Sequence, residues 1–221
     1  MDRVSEEILR CQDEWYSLLE PLEDLKYCSV ALADGNVRRI RLPVEVHPSC
    51  LMREVESFVE KRKAKIEELR YWTIHPSYRN QQLERFLLSN GFKFNLEIGM
   101  ALGPTISLVT NPSVMIEGGS ELPQDWEQVQ IALYTHDPDV VPSEIPKFVE
   151  RNRRRFSDTR VEMYVAKLDA QPAGMMALFT SRSTCQIDEV YTIPEFRKQH
   201  VASTLMTALI DAAKKRGAEN V

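Results

Sequence analysis

Apolar side chains recur at Ala202, Leu205, Met206, Leu209, Ile210 and Ala213, on the i, i+3, i+4, i+7 rows of one helix face. Lys214, Lys215 and Arg216 load the last turn and Gly217 offers a left-handed stop, so the pattern predicts a helix ending near Arg216. Just upstream, Val190, Tyr191 and Ile193 are strand formers, and Pro194 cannot continue a ladder. The stretch therefore reads as a strand over 186–193, a tight polar loop, and the helix.

From the N-terminus, Ile8, Leu9, Trp15, Leu18, Leu19 and Leu22 form a helical row interrupted by Pro21. Tyr27–Leu32 and Val37–Leu42 are β-rich runs joined by Asp34-Gly35-Asn36, a hairpin signal. Leu51, Val55, Phe58, Val59 and Ile66 predict an amphipathic helix, 69–74 a short strand, 80–90 a second helix, and the alternation of Phe92, Phe94, Leu96 and Ile98 a strand over 92–102. The polar stretch 111–125, with Pro112, Gly118, Gly119 and Pro123, reads as a linker. Beyond it, Val129–Tyr134 reads as the first strand of a second unit. A helix over 143–156 and strands over 161–168, 174–180 and 186–193 follow. The fold class expected is mixed α/β, with one domain over 1–118 and another over 119–221.

Composition narrows the class. With 43% hydrophobic residues in 221, the chain can bury a sizeable core. Lys plus Arg number 28 against 33 Asp plus Glu, a formal charge of −5, which argues against general nucleic-acid affinity. The basic run Arg151-Asn152-Arg153-Arg154-Arg155 reads as the solvated end of a helix. Cys11, Cys28, Cys50 and Cys185 are scattered without ligand spacing, so no metal site is expected and the thiols read as free in a reducing cytoplasm. No apolar run reaches membrane-spanning length and the N-terminus lacks a signal-like core, so a soluble, cytoplasmic protein is expected.

The chemistry concentrates at the start of the last helix. First-turn amides there have no carbonyl partners in the helix and the aligned peptide dipoles make that end positive. Arg197 and Lys198 add full charges, so an anion such as a pyrophosphate is the natural guest. The run 189–202, EVYTIPEFRKQHVA, carries neither a Gly-rich dinucleotide fingerprint nor a Walker lysine pattern. It resembles the acyl-CoA-binding signature of the Gcn-related N-acetyltransferases, the GNAT superfamily. Thr192 stands at the usual Val, Arg197 at the Gln or Arg, and Ala202 at the second small position. The longer run IDEVYTIPEFRKQHVAS is similar to the polyamine acetyltransferases and their bacterial relatives. His200 departs from the pattern, standing where the family most often has its first Gly. Histidine enters left-handed space more readily than most residues, but its ring takes up room, and weaker cofactor binding is expected.

The resemblance implies a mixed central sheet flanked by helices. It also implies acetyl-CoA as cosubstrate, held along Val190, Tyr191 and Thr192 and at Arg197, Lys198, Gln199, His200, Val201, Ala202 and Ser203. Asp188 and Glu189 lie where relatives present a carboxylate to the substrate amine, and strand alternation predicts that only one of them faces the groove. The partner implied is a small-molecule or protein amine. The run LERFLLSNGFKF resembles the family's late helix and strand entry, so 1–118 reads as a degenerate GNAT-like half or an accessory α/β domain; no Pro-x-x-Arg-x-x-Gly run precedes its helix. The family continues past its motif helix with a parallel strand, a helix and closing strands, whereas this sequence reaches Glu219-Asn220-Val221. The second domain is therefore expected to lack its end and to find cover in the first half of the chain or in a homodimer. Three readings stand: an N-acetyltransferase, a non-catalytic acyl-CoA-binding or sensing protein, and an interaction module.

Overall fold

The computed structural model describes residues 3–19, 22–33, 36–42, 47–65, 71–74, 81–89 and 107–221. The chain forms two compact units, Met1–Leu19 with Gly99–Val221, and Glu20–Ile98. The division expected at 118/119 is thus replaced by cuts at 19/20 and 98/99, because a strand crosses residue 118 and the N-terminal helix packs with the C-terminal half. The strand expected over 92–102 lies outside the described residues.

Within Glu20–Ile98, β1 (Leu22–Asp24), β2 (Ser29–Ala33) and β3 (Asn36–Leu42) form an antiparallel run, and β4 (Tyr71–Ile74) pairs with β3 in parallel. The helix that makes this parallel return possible is α2 (Pro48–Arg62). It buries Leu51, Val55 and Phe58 in a core with Val30, Val37, Ile40 and Leu42, and α3 (Gln81–Ser89) adds Leu83 and Leu87. Hairpin, helix, strand and helix follow in the order their patterns predict.

In the other unit, β5 (Met115–Gly119), β6 (Val161–Leu168), β7 (Gln171–Ser181) and β8 (Thr184–Thr192) form an antiparallel sheet in sequence order. The stretch read as a linker supplies β5. Its weak β pattern is compensated by pairing with β6 from Met115↔Lys167 to Gly119↔Met163. Gly118 permits that approach, since a Cβ there would lie 2.2 Å from the Met163 carbonyl oxygen.

Residues 129–134, read as a strand, belong instead to α4 (Trp126–Thr135). The alternation of Val129, Ile131 and Leu133 misleads, because Ile131 is 43% exposed whereas Trp126, Val129 and Gln130 are buried at helical spacing. A 3-10 turn at Pro142–Glu144 then leads into α5 (Ile145–Arg155).

One face of this sheet is covered by α1 (Arg3–Ser17), α4 and α5, whose Cys11, Trp15, Trp126, Val129, Val149 and Phe156-side core meets Met163, Val165, Met175, Ala177 and Phe179. The opposite face is covered by α6 (Val201–Lys215). Val201, Leu205, Leu209 and Ala213 pack on Ala166, Leu168, Ala173, Met176 and Leu178. Burial of a leucine of this kind contributes roughly 1.5–3 kcal/mol. The buried row begins at Val201 rather than Ala202, which is exposed. α6 ends at Lys215, and Gly217 takes φ 79° after it, as the sequence pattern predicts. Beyond it, Asn220 bridges Thr184 in parallel, with Cys185 N–H donating to the Asn220 carbonyl at 2.9 Å.

Candidate functional site

β8 ends because Pro194 has no N–H to donate; the last rung is Ile193 N–H to the Ala173 carbonyl at 3.0 Å. A 3-10 turn follows at Pro194–Phe196, closed by Phe196 N–H to Ile193 O at 2.9 Å. The chain then enters left-handed space twice, at Lys198 (φ 63°) and His200 (φ 60°). His200 thus adopts the conformation that a glycine would favour at its position in the motif. α6 begins with no side-chain cap, and the first amide bonded back into it is Thr204 N–H, to His200 O at 3.0 Å. The N–H groups of Val201, Ala202 and Ser203 therefore have no carbonyl to meet within the helix.

Around this helix start Arg197, Lys198, Gln199 and His200 are all exposed. Arg197 donates from Nε to the Thr192 carbonyl at 3.2 Å, which holds its guanidinium beside the strand end. Of the residues expected to touch a pyrophosphate, Val201 is buried and can offer only its amide. The Ser203 hydroxyl is turned to carbonyls, 2.5 Å from Val109 O and 3.1 Å from His200 O. The segment before β5 is fastened here as well: Asn111 Nδ2 donates to Gln199 O at 3.0 Å, and Asn111 N–H to Thr204 Oγ1 at 2.9 Å. Uncapped amides, two left-handed residues and two exposed cations suit an anion such as a pyrophosphate.

Earlier along β8 lie the predicted carboxylates. Pairing is Ala177↔Asp188 before the register shift and Met175↔Tyr191 after it, so Glu189 and Val190 together oppose Met176. This is a β-bulge, and Glu189 stands in it at φ 52°. The bulge cancels the alternation on which the one-carboxylate expectation rested. Asp188 is opposite Ala177, hence on the face under α1, α4 and α5, and Glu189 reaches α4 and α5 on that same face.

Their surroundings differ. Asp188 accepts from Gln186 Nε2 at 2.8 Å and from the Glu189 N–H at 2.7 Å. Glu189 is held by Arg155, Nη1 to Oε1 at 2.8 Å, in a pair whose side chains are 7% and 14% exposed. Burial pushes the Glu189 carboxyl up, partly opposed by Arg155, and burial lowers Arg155. Gln130 Nε2 lies 3.4 Å from the second Glu189 oxygen, Asn152 Nδ2 donates to Gln130 Oε1 at 3.0 Å and to Tyr134 Oη at 2.7 Å. Tyr191 is buried, with its hydroxyl 2.9 Å from His136 Nδ1 and 3.3 Å from the Ala132 carbonyl. Cys185 is buried on the other face, its thiol raised by burial, and does not reach this cluster.

Residues 126–221 match the family model described as acetyltransferase (GNAT) family. Residues 126–221 are a GNAT domain. The chain as a whole is similar in structure to a GCN5-related N-acetyltransferase from Kribbella flavida, at 12% identity and TM-score 0.64, over 99% of this chain and 83% of that one. It is similar also to a functionally unknown conserved protein from Staphylococcus epidermidis ATCC 12228, at 12% identity and TM-score 0.59, over 90% and 80% of the two chains. At these identities the likeness shows the fold. No curated protein matches the chain in sequence.

Within the GNAT domain, sequence reasoning missed Gln130, Tyr134, His136, Asn152 and Arg155. Arg155 and Asn152 were hidden in the basic run read as solvated. Arg153 and Arg154 do face water, with side chains 44% and 77% exposed, whereas Asn152 and Arg155 are buried. Their spacing from Val149, at i+3 and i+6, was the available signal.

Proposed function

We propose that the GNAT domain is an acetyl-CoA-dependent N-acetyltransferase site that acts on a primary amine by direct attack on the thioester. The observation that carries this reading is the uncapped, doubly left-handed start of α6 flanked by Arg197 and Lys198, placed directly after a bulged strand with two carboxylates. Acetyl-CoA supplies an activated acyl group whose thiol leaves when the amide forms. Arg197, Lys198 and the amides of 198–203 bind its pyrophosphate, and the backbone of Val190, Tyr191 and Thr192 lies along its arm. Asp188 accepts the proton that an ammonium must lose before its lone pair can attack. It is the better base of the two, because a proton taken by Glu189 would leave Arg155 buried beside a neutral partner.

The test is calorimetry with CoA together with release of free thiol from acetyl-CoA over a panel of primary amines such as spermidine, tyramine and lysine. Charge-assisted contacts contribute roughly 1.5–3 kcal/mol each, so Arg197→Ala should weaken CoA binding about tenfold or more. CoA affinity unchanged in Arg197→Ala would remove the pyrophosphate assignment. Binding without turnover on any amine would favour the acyl-CoA-sensing reading.

A further inference from the structure

The last residue of α5 puts a guanidinium into the middle of the core. Arg155 is 6% exposed, stacks over the Trp15 ring at 4.2 Å and pairs with Glu189 at 2.8 Å, while its Nε has no hydrogen-bond partner among the described residues. A well-packed apolar pair of similar volume is often as stable as a buried ion pair, or more so. Stability alone therefore does not account for the pair. What the pair does touch is the bulge. Glu189 is held at φ 52°, a conformation disfavoured for any residue with a Cβ, in the middle of a strand whose ladder resumes two residues later at Tyr191. Its carboxylate is clamped from α5 by Arg155 and approached from α4 by Gln130, which is itself bonded to Asn152. Both helices are thus tied through one side chain to the strained residue of β8.

Resting on the acyl-CoA reading above, we propose that Arg155 is a positioning residue: by pairing with Glu189 it holds the β8 bulge, and so sets the backbone of Val190–Thr192 for the acyl-CoA arm. The role of Glu189 is then conformational, and the strand after the bulge is the part that depends on it. Val190, next in the bulge, is 51% exposed, and the pairing with β7 is interrupted there. Loss of the clamp lets the backbone at the bulge relax, which shifts Val190–Thr192 locally relative to β7 while the rest of the ladder stays paired.

The inference separates from a merely structural role by two double variants. Arg155→Met with Glu189→Met removes both charges and keeps the volume; it should fold with a melting temperature near the parent's. With no clamp against the left-handed strain, it should lose CoA affinity by about tenfold or more. Arg155→Met with Glu189→Gly supplies a residue that enters left-handed space unaided, so the bulge persists without the clamp and CoA affinity should return to within about threefold of the parent. Parent-like CoA affinity in the double Met variant would overturn the inference and leave the acyl-CoA reading intact. So would a folded Met and Gly variant that fails to recover binding. Absence of CoA binding by the parent chain would remove the acyl-CoA reading and this inference together.

Discussion

Substitution of His200 tests the least regular residue of the motif. It sits at φ 60°, ψ 21°, is exposed, and makes no side-chain capping bond. A left-handed conformation costs an ordinary L-residue roughly 1–2 kcal/mol, and histidine is among the residues that tolerate it best. Glycine removes that strain but orders a freer backbone, at a cost of roughly 0.5–1 kcal/mol. The net expectation for His200→Gly is a gain between zero and about 1 kcal/mol, a rise in Tm of at most about 4 °C in a chain of this size. His200→Val removes no side-chain hydrogen bond among the described residues and places a β-branched residue in left-handed space, so it should lose about 1 kcal/mol or more relative to the parent. Circular dichroism melts should give the order Gly, His, Val from most to least stable. Calorimetry with CoA should show His200→Gly neutral or tighter, because space opens beside the amides of α6. A large loss of affinity on His200→Gly would mean that the imidazole itself donates to phosphate; a Val variant as stable as the parent would refute the strain argument.

Asp188→Asn should lower kcat by roughly 10²–10⁴-fold with CoA affinity unchanged, as for loss of a general base; steady-state kinetics with an unaltered kcat would exclude that role. Leu209→Ala, at a fully buried position between α6 and the sheet, should cost about 2–5 kcal/mol in urea unfolding, and a loss below 1 kcal/mol would contradict the packing described. Burial pushes the Cys11 and Cys28 thiols up to about 12. The folded chain then keeps protons that the unfolded chain gives up near pH 8.5, so this stability is full below that pH. It falls by about 1.4 kcal/mol per pH unit per thiol as pH rises toward 12. Urea midpoints at pH 8 and pH 10 should therefore converge for Cys11→Ala relative to the parent; an equal decline in both would reject the assignment. Asn111→Ala removes the bond to Gln199 O and the acceptor of Ser113 N–H, and should lower stability by about 1–2 kcal/mol in the same assay.

The sequence by itself determined the elements whose physics is local. The α6 face, its cationic last turn and the left-handed Gly217 predict the helix and its end within one residue, because period and capping are properties of neighbouring residues. The strand, proline and basic loop before it likewise identify the GNAT motif, and the hairpin and helix of the other unit follow from alternation and helical period. Only tertiary structure decided four things. Residues 115–119 are a strand because β6 offers a partner, and 129–134 are a helix because Val129 and Gln130, not Ile131, meet the sheet. The fate of Asp188 and Glu189 depended on a bulge that adjacent residues do not announce: one extra residue opposite Met176 turns both carboxylates to one face. Finally, Arg155 is indistinguishable by type from Arg153 and Arg154, and only its place on the inner row of α5, beside Glu189 and Trp15, takes it out of water. A charge is read as solvated from composition, and it is buried only when another element supplies the partner that makes burial tolerable.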